Sequence, residues 1–339
     1  MSAWRRATLA AVVLTIAALG AGCGEKSEDV SATPDQRQLD LTLDWFPNPD
    51  HVAIYEAQSQ GYFRDVGLDV RPRVPSDPSA PIKQVAAGRT DLAISYEPEV
   101  FLARKQGLPV IAVAALVQRP LTSVMATRKS GVRSVRDLRG KRVGTAGIPY
   151  QSAYLKTILA RAKVPVSSVK ETNVGASLLA SMLSGKVDAT LGAFWNVEGV
   201  ELRQRRQRPW IVPVDRLGVP DYDELVLVAN ENDVDENRDD LRLFISAVAR
   251  GARAAREDPA AAARHLIDAS NDLRPRTTRT SVRLTIPALF PEQGDQPFGY
   301  LDAVKWRNYA GWMVDNGLLD KTPDVNEALT NELLPGEGL

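Results

Sequence analysis

The sequence has little cysteine and histidine and no excess of either charge. Its 339 residues include one cysteine, Cys23, so no intramolecular disulfide can form. With only two histidines beside it, a Cys/His metal cluster within one chain is excluded. The 42 basic and 42 acidic residues balance, which argues against a nucleic-acid partner because such a partner requires a basic surface. The 44% hydrophobic and 25% charged residues indicate a globular chain.

The common catalytic and cofactor motifs are also missing. No G-x-G-x-x-G, Walker A, H-E-x-x-H or G-x-S-x-G pattern occurs in the chain. We therefore predict no catalytic residues, no bound cofactor and no metal.

The first residues have the pattern of an export signal. Trp4-Arg5-Arg6 precedes an uncharged run over 7–18 that is too short to span a bilayer comfortably, and Gly20-Ala21-Gly22 leads to Cys23. We predict a signal peptide over 1–22. The segment Leu19–Cys23 resembles a bacterial lipobox, although Gly20 stands where that pattern has an aliphatic residue. The resemblance implies that Cys23 is lipidated and anchors an extracytoplasmic protein to the cell membrane, with the polar stretch 23–38 as linker.

From Leu39 onward, segments with strand and helix patterns alternate, which indicates an α/β fold with mostly parallel sheets. Leu39–Leu43 alternates with period two, and the stretch 51–60 has helical spacing up to Gly61. The phrase Ala87–Ala93 recurs in similar form at Ser184–Thr190, so we predict two similar lobes. We assign 39–121 and 230–339 to lobe 1 and 122–229 to lobe 2, with Leu121–Thr127 and Glu224–Ala229 as hinge strands. The arginine-rich stretches 203–208 and 274–279 are predicted to be solvated faces.

Aromatic and polar residues stand at the ends of four predicted strands, where ligands bind in open α/β sheets. Aromatic faces can stack on a flat heterocycle, and carboxylates and amides can orient its ring nitrogens or an amine. Each aromatic could instead be a core residue. The predicted ligand-binding residues are Trp45, Asn48, His51, Tyr96, Glu97, Tyr150, Ser152, Trp195 and Glu198.

Several motifs together resemble the NMT1/THI5-like family. They are Leu43–Asn48 with His51, Gln60–Phe63, Ile94–Glu99, Ala115–Leu121, Asp137–Lys141 and Gly192–Glu198. The resemblance implies a type II periplasmic-binding fold, with two α/β lobes joined by two hinge strands. It also implies that the loop around Trp45, Asn48 and His51 and the loop Trp195–Glu198 line a pyrimidine pocket.

The family contains two kinds of protein. One kind is the solute-binding subunit of ABC importers, some of which bind thiamine-precursor pyrimidines such as hydroxymethylpyrimidine or formylaminopyrimidine. The other is a pyridoxal-phosphate-dependent pyrimidine synthase, which carries a cysteine-rich run that this chain lacks after Cys23. We therefore expect a monomeric importer subunit that binds a small heterocycle and docks on a permease–ATPase complex. The alternatives are the synthase, with His51 as the reacting histidine, or an importer subunit for riboflavin or a sulfonate.

Overall fold

The computed structural model describes residues 36–292 and 294–336, in which ten strands form two five-stranded sheets. The predicted signal peptide, Cys23 and almost all of the predicted linker lie outside the described residues. No helix within the described part of the chain is both long and apolar enough to span a membrane.

The first sheet has the strand order β2-β1-β3-β10-β4. Its strands are β1 (Arg37–Thr42), β2 (Leu68–Arg73), β3 (Leu92–Ser95), β4 (Val110–Val117) and β10 (Leu225–Asn230). β1 is parallel to β2 and β3, whereas β10 is antiparallel to both of its neighbours.

The second sheet repeats this arrangement with the order β7-β6-β8-β5-β9. Its strands are β5 (Thr122–Ala126), β6 (Arg142–Thr145), β7 (Lys170–Asn173), β8 (Ala189–Phe194) and β9 (Trp210–Pro213). β6 is parallel to β7 and β8, and β5 is the antiparallel strand. The antiparallel strand therefore takes the fourth position in both sheets. This architecture agrees with the predicted two-sheet α/β fold.

In the described part of the chain, seven α-helices lie between the strands and four follow β10. They are α1 (Val52–Ser59), α2 (Tyr62–Asp65), α3 (Ala80–Ala86), α4 (Glu97–Lys105), α5 (Pro149–Arg161), α6 (Leu178–Leu183), α7 (Glu198–Gln204), α8 (Arg238–Glu257), α9 (Pro259–Ala269), α10 (Pro275–Thr285) and α11 (Ala303–Asp315). α8 packs on α1 so closely that a Cβ at Gly251 would lie 2.1 Å from the carbonyl oxygen of Ala53. Only glycine permits that approach.

The chain passes between the sheets through two segments. We call 118–121, which follows β4, the outgoing connection, and 214–224, which precedes β10, the return connection. We call 36–117 with 225–336 the first-sheet half, and 122–213 the second-sheet half.

The predicted hinge strands differ from these connections. Leu225–Ala229 lies inside β10, between β3 and β4, and its side chains are buried. A continuous apolar run is typical of such a central strand rather than of a crossing segment. Likewise, residues 122–126 form β5 of the second sheet. β10 therefore belongs to the first sheet, and the predicted lobe bounds stay a prediction.

Candidate ligand-binding site

A cavity of about 490 Å³ opens where the carboxyl ends of strands from both sheets meet. Asp44–Pro49 follows β1 and Tyr96 follows β3, whereas Ala146 follows β6 and Val197 follows β8. This position is the one expected for a ligand in open α/β sheets. We call Asp44–Pro49 with Tyr96 the first wall. The second wall consists of Ile148, Tyr150, Gln151, Phe194 and Glu198.

The first wall is fixed by a buried hydrogen-bond network centred on Asp44. The Tyr96 hydroxyl donates to Asp44 Oδ2 over 2.8 Å, and His51 Nε2 lies 2.7 Å from Asp44 Oδ1. The backbone N–H of Asn48 donates to His51 Nδ1 over 3.4 Å, so the proton is on Nε2, which donates to Asp44. All of these groups are buried, and each has a defined partner.

The loop between Asp44 and α1 holds its own shape. Asn48 Oδ1 accepts from the N–H of Asp50 over 2.8 Å, and Asn48 Nδ2 donates to the Phe46 carbonyl over 3.1 Å. Pro47 and Pro49 restrict the backbone on either side of Asn48. Trp45 is half-buried here and faces the cavity.

The second wall is held by aromatic packing. The Tyr150 ring lies 5.2 Å from Tyr154, which lies 5.8 Å from Tyr222, and Tyr222 lies 5.0 Å from Tyr309. The hydroxyls of Tyr154 and Tyr309 are 2.5 Å apart. This buried column backs Tyr150, whose ring also lies 6.3 Å from Tyr96, so the two walls meet at these two tyrosines.

Gln151 completes the second wall and depends on a glycine opposite it. Gln151 Oε1 accepts from the Ala146 N–H over 2.8 Å. Gly192 has φ +117°, and a Cβ there would lie 2.5 Å from Gln151 Nε2. A side chain at this position would therefore displace Gln151.

Glu224 and Thr122 form the floor of the cavity and join the two connections. Glu224 Oε2 accepts from the N–H groups of Leu121 and Thr122 over 2.6 and 2.7 Å and from the Tyr222 hydroxyl over 2.9 Å. Glu224 Oε1 accepts from Thr122 Oγ1 over 2.8 Å. Burial raises the pKa of Glu224, and these donors oppose that rise.

The remaining side of the cavity is formed by α10 and the turn before it. Asp272, Leu273, Arg274, Thr277, Thr278 and Ser281 line it. Arg274 Nη1 donates to Glu201 Oε1 over 2.7 Å and so links this side to α7.

The lining is strongly acidic. It includes five carboxylates, which are Asp44, Glu198, Glu201, Glu224 and Asp272. Among the lining residues the only cationic side chain is Arg274, which is already paired with Glu201. Burial raises the pKa of Glu198, which accepts from the Phe194 N–H over 2.8 Å. Such a carboxyl group can accept from an amine when ionised and donate to a ring nitrogen when protonated.

Five of the nine predicted residues line this cavity: Trp45, Asn48, Tyr96, Tyr150 and Glu198. Their contact with a ligand stays a prediction.

The other four predicted residues lie elsewhere. His51 is fully buried behind Asp44, and Ser152 Oγ donates to Glu171 Oε1 over 2.7 Å, away from the lining. Trp195 donates its indole N–H to the Pro120 carbonyl over 3.2 Å and so braces the outgoing connection, while its neighbour Phe194 faces the cavity. Successive residues of a strand point to opposite sides, which explains why Phe194 faces the cavity and Trp195 does not.

Glu97 belongs to a buried group beneath the connections. Its Oε2 accepts from the Asp223 N–H over 2.8 Å. Lys305 of α11 donates to the Gln118 carbonyl over 2.6 Å and to Asp223 Oδ1 over 3.0 Å. Burial raises the pKa of Glu97. Glu97 therefore supports the return connection rather than the cavity.

Sequence reasoning missed Asp44, Gln151, Phe194, Glu224 and the whole α10 side. Asp44, Gln151 and Phe194 adjoin predicted residues, so the motifs at the strand ends could have included them. Glu224 was noted only as part of a hinge strand. α10 carried one overlooked signal, because Pro275 at the first position of a helix is a common start.

The fold and the cavity together define a two-sheet protein of the periplasmic-binding type. The alkanesulfonate-binding protein of Xanthomonas axonopodis pv. citri shares this fold with a TM-score of 0.69 and 16% identity, covering 88% of this chain and 99% of that one. The model of the family described as "NMT1/THI5 like" matches residues 48–262. The chain belongs to the NMT1/THI5-like family.

Three relatives extend over most of the chain. A Haemophilus influenzae protein assigned to thiamine biosynthesis is 34% identical, covering 86% of this chain and 91% of that protein. The formylaminopyrimidine-binding protein of Halalkalibacterium halodurans is 35% identical, covering 86% of this chain and 89% of that protein. A 4-amino-5-hydroxymethyl-2-methylpyrimidine phosphate synthase of Legionella pneumophila is 24% identical, with 88% and 92% covered.

Proposed function

We propose that this protein is the solute-binding subunit of an ABC importer and that its ligand is a thiamine-precursor aminopyrimidine of the formylaminopyrimidine type. The observation that carries the proposal is the lining of the cavity, which combines aromatic side chains on both walls with the carboxyl group of Glu198. The 35% identity to a formylaminopyrimidine-binding protein supports the same ligand class.

The charge of the lining separates this ligand from a sulfonate. A sulfonate requires donors that are free to meet its oxygens, but Arg274 is paired with Glu201 and the other charged lining groups are acids. An aminopyrimidine presents N–H donors that the carboxyl group of Glu198 can accept and a flat face that Tyr150 and Phe194 can contact. The lining therefore favours a neutral or weakly cationic heterocycle.

The residues do not fit a pyridoxal phosphate synthase. A Schiff base to that cofactor requires a lysine, and no lysine is among the lining residues of the cavity. His51, the residue predicted to react in such an enzyme, is fully buried and both of its ring nitrogens are engaged. The carboxylates would also repel the phosphate group. We therefore propose a binding protein rather than an enzyme.

An importer subunit of this kind acts outside the cytoplasm, beside a permease and its ATPase. The export signal over 1–22 and the lipid anchor at Cys23 remain parts of this proposal.

Titration calorimetry with formylaminopyrimidine tests the ligand. We expect binding with a Kd of about 1 µM or tighter, and no heat with an alkanesulfonate or riboflavin. Glu198→Gln removes one charge-assisted acceptor and should weaken binding about tenfold or more. Glu171→Gln, an exposed change in the same half, is the matched control and should leave the Kd unchanged. Tighter binding of a sulfonate or of riboflavin would refute the proposed ligand.

A further inference from the structure

The two arginine-rich stretches of the sequence meet on one surface. One spans 203–208 and begins in the last turn of α7. The other spans 274–283 and includes most of α10. Gln204 joins them, because its Nε2 donates to the Arg276 carbonyl over 3.4 Å and its Oε1 accepts from Thr277 Oγ1 over 2.8 Å. Segments about 70 residues apart in sequence therefore form one continuous patch.

This patch is strongly basic within a chain whose charges balance. Segments 201–208 and 272–283 contain eight arginines and two acids, and all eight arginines are exposed. Arg205 and Arg274 both pair with Glu201. The other six have no carboxylate within 4.0 Å among the described residues. We call these six the arginine patch: Arg203, Arg206, Arg208, Arg276, Arg279 and Arg283.

The backbone presents these side chains in a fixed arrangement. Arg276, Arg279 and Arg283 are spaced three and four residues apart and so share one exposed face of α10, opposite its buried stripe. Arg206 and Arg208 have φ of +59° and +46°, a left-handed conformation that a non-glycine residue adopts at an energetic cost.

The lining residues Asp272 and Arg274 are exposed, so the cavity reaches solvent at the turn before α10; we call this edge the mouth, and the arginine patch lies beside it. Glu201, Arg274 and Thr277 line the cavity and also form the contact between α7 and α10. α7 belongs to the second-sheet half, whereas α10 belongs to the first-sheet half. A partner that contacts both helices would therefore touch both halves beside the cavity.

The chemistry of the patch favours a protein partner over a lipid surface. Neither segment contains lysine. Anionic membranes attract lysine and arginine alike, whereas protein interfaces are enriched in arginine and depleted in lysine. The planar guanidinium also pairs with a carboxylate through two parallel hydrogen bonds.

We propose that the arginine patch is a docking surface for an acidic, carboxylate-bearing face of a protein partner. The inference rests on the proposed function insofar as that partner is the permease that receives the ligand. Delivery from the cavity requires the partner to sit at the mouth, which is where the patch lies.

The test compares the full chain with two triple variants. Arg276→Glu/Arg279→Glu/Arg283→Glu reverses one side of the patch, and none of these residues lines the cavity. Arg133→Glu/Arg136→Glu/Arg139→Glu makes the same charge change at exposed arginines elsewhere in the second-sheet half. Three measurements are made on each protein: the Kd for poly-L-glutamate at low salt, sedimentation with phosphatidylglycerol vesicles, and uptake of labelled formylaminopyrimidine by cells that carry the variant.

We expect the patch variant to bind poly-L-glutamate and to support uptake about tenfold less well than wild type, with the pyrimidine Kd within about twofold. The control variant should match wild type in all measurements. Unchanged poly-L-glutamate binding or unchanged uptake would overturn the docking surface, and so would a loss confined to vesicle binding, which would assign the patch to lipid. If the wild type binds no pyrimidine but shows arginine-dependent binding to poly-L-glutamate, the docking surface stands and the proposed ligand fails.

Discussion

The two walls of the cavity come from sheets with the same strand order, yet they are held in different ways. The first wall is fixed by hydrogen bonds that converge on Asp44 from Tyr96 and His51. The second wall is fixed by a column of packed rings behind Tyr150. A hydrogen bond fixes the distance and angle between two groups, whereas packed rings bury contact area over a wider range of angles. The comparison shows that the shape of the first wall depends on one carboxylate, whereas the shape of the second wall depends on packed ring surface.

The largest expected effect comes from breaking the centre of the first wall. Asp44→Ala leaves the buried His51 and Tyr96 groups without their acceptor and should lower the free energy of unfolding by about 2–5 kcal/mol. Urea denaturation measures this change. In the second wall, Tyr154→Phe removes one buried hydroxyl and should cost only about 1 kcal/mol. If both variants lowered the free energy of unfolding by the same amount, the proposed difference between the walls would be wrong.

The next effect concerns Glu99, which is buried behind the first wall and accepts from Ser95 Oγ over 2.7 Å. Burial raises the pKa of Glu99 from 4.5 to about 7. Between these values the folded protein keeps a proton that the unfolded chain releases, so stability falls as pH rises through that window. The difference corresponds to roughly 3 kcal/mol for this one group.

Glu99→Gln cannot ionise and should reduce this loss of stability. Urea denaturation at pH 5 and pH 8 measures it for wild type and variant. Glu171→Gln, at an exposed position in the second-sheet half, should leave the wild-type difference in stability between pH 5 and pH 8 intact. A Glu99→Gln protein that loses as much stability as wild type would show that Glu99 does not titrate in this window.

The smallest effect distinguishes two neighbours in the second-sheet half. Phe194 lines the cavity, whereas Trp195 braces Pro120. Phe194→Ala should weaken pyrimidine binding about tenfold through loss of ring contact and burial. Trp195→Ala should change the Kd by less than about threefold while lowering stability. If calorimetry showed a larger rise in Kd for Trp195→Ala than for Phe194→Ala, Trp195 would belong to the site.

Much of the fold could be predicted from the sequence because its signals are local. The alternation along Leu39–Leu43 and the recurrence of Ala87–Ala93 at Ser184–Thr190 indicate strands and a repeated α/β plan. The two sheets of identical order agree with that plan. The central position of β10 could not be predicted from its own residues, because it depends on pairing with β3 and β4, which are distant in sequence.

The site was less predictable, because its residues are brought together by contacts that are distant in sequence. Strand-end aromatics such as Trp45 and Tyr150 could be found from their position. α10 could not be found by apolar periodicity, because its buried stripe is largely Thr278, Ser281 and Thr285. Likewise, Glu97 supports the return connection through its hydrogen bond to Asp223, which is 126 residues away in sequence.

Glu224, on the floor of the cavity, also joins the two segments that link the halves. Its carboxylate accepts from the N–H groups of Leu121, which ends the outgoing connection, and Thr122, which begins β5. It also accepts from the Tyr222 hydroxyl on the return connection, so the two crossings are joined at a single point. Because Thr122 and Glu224 also line the cavity, the point that joins the two crossings is itself part of the cavity surface.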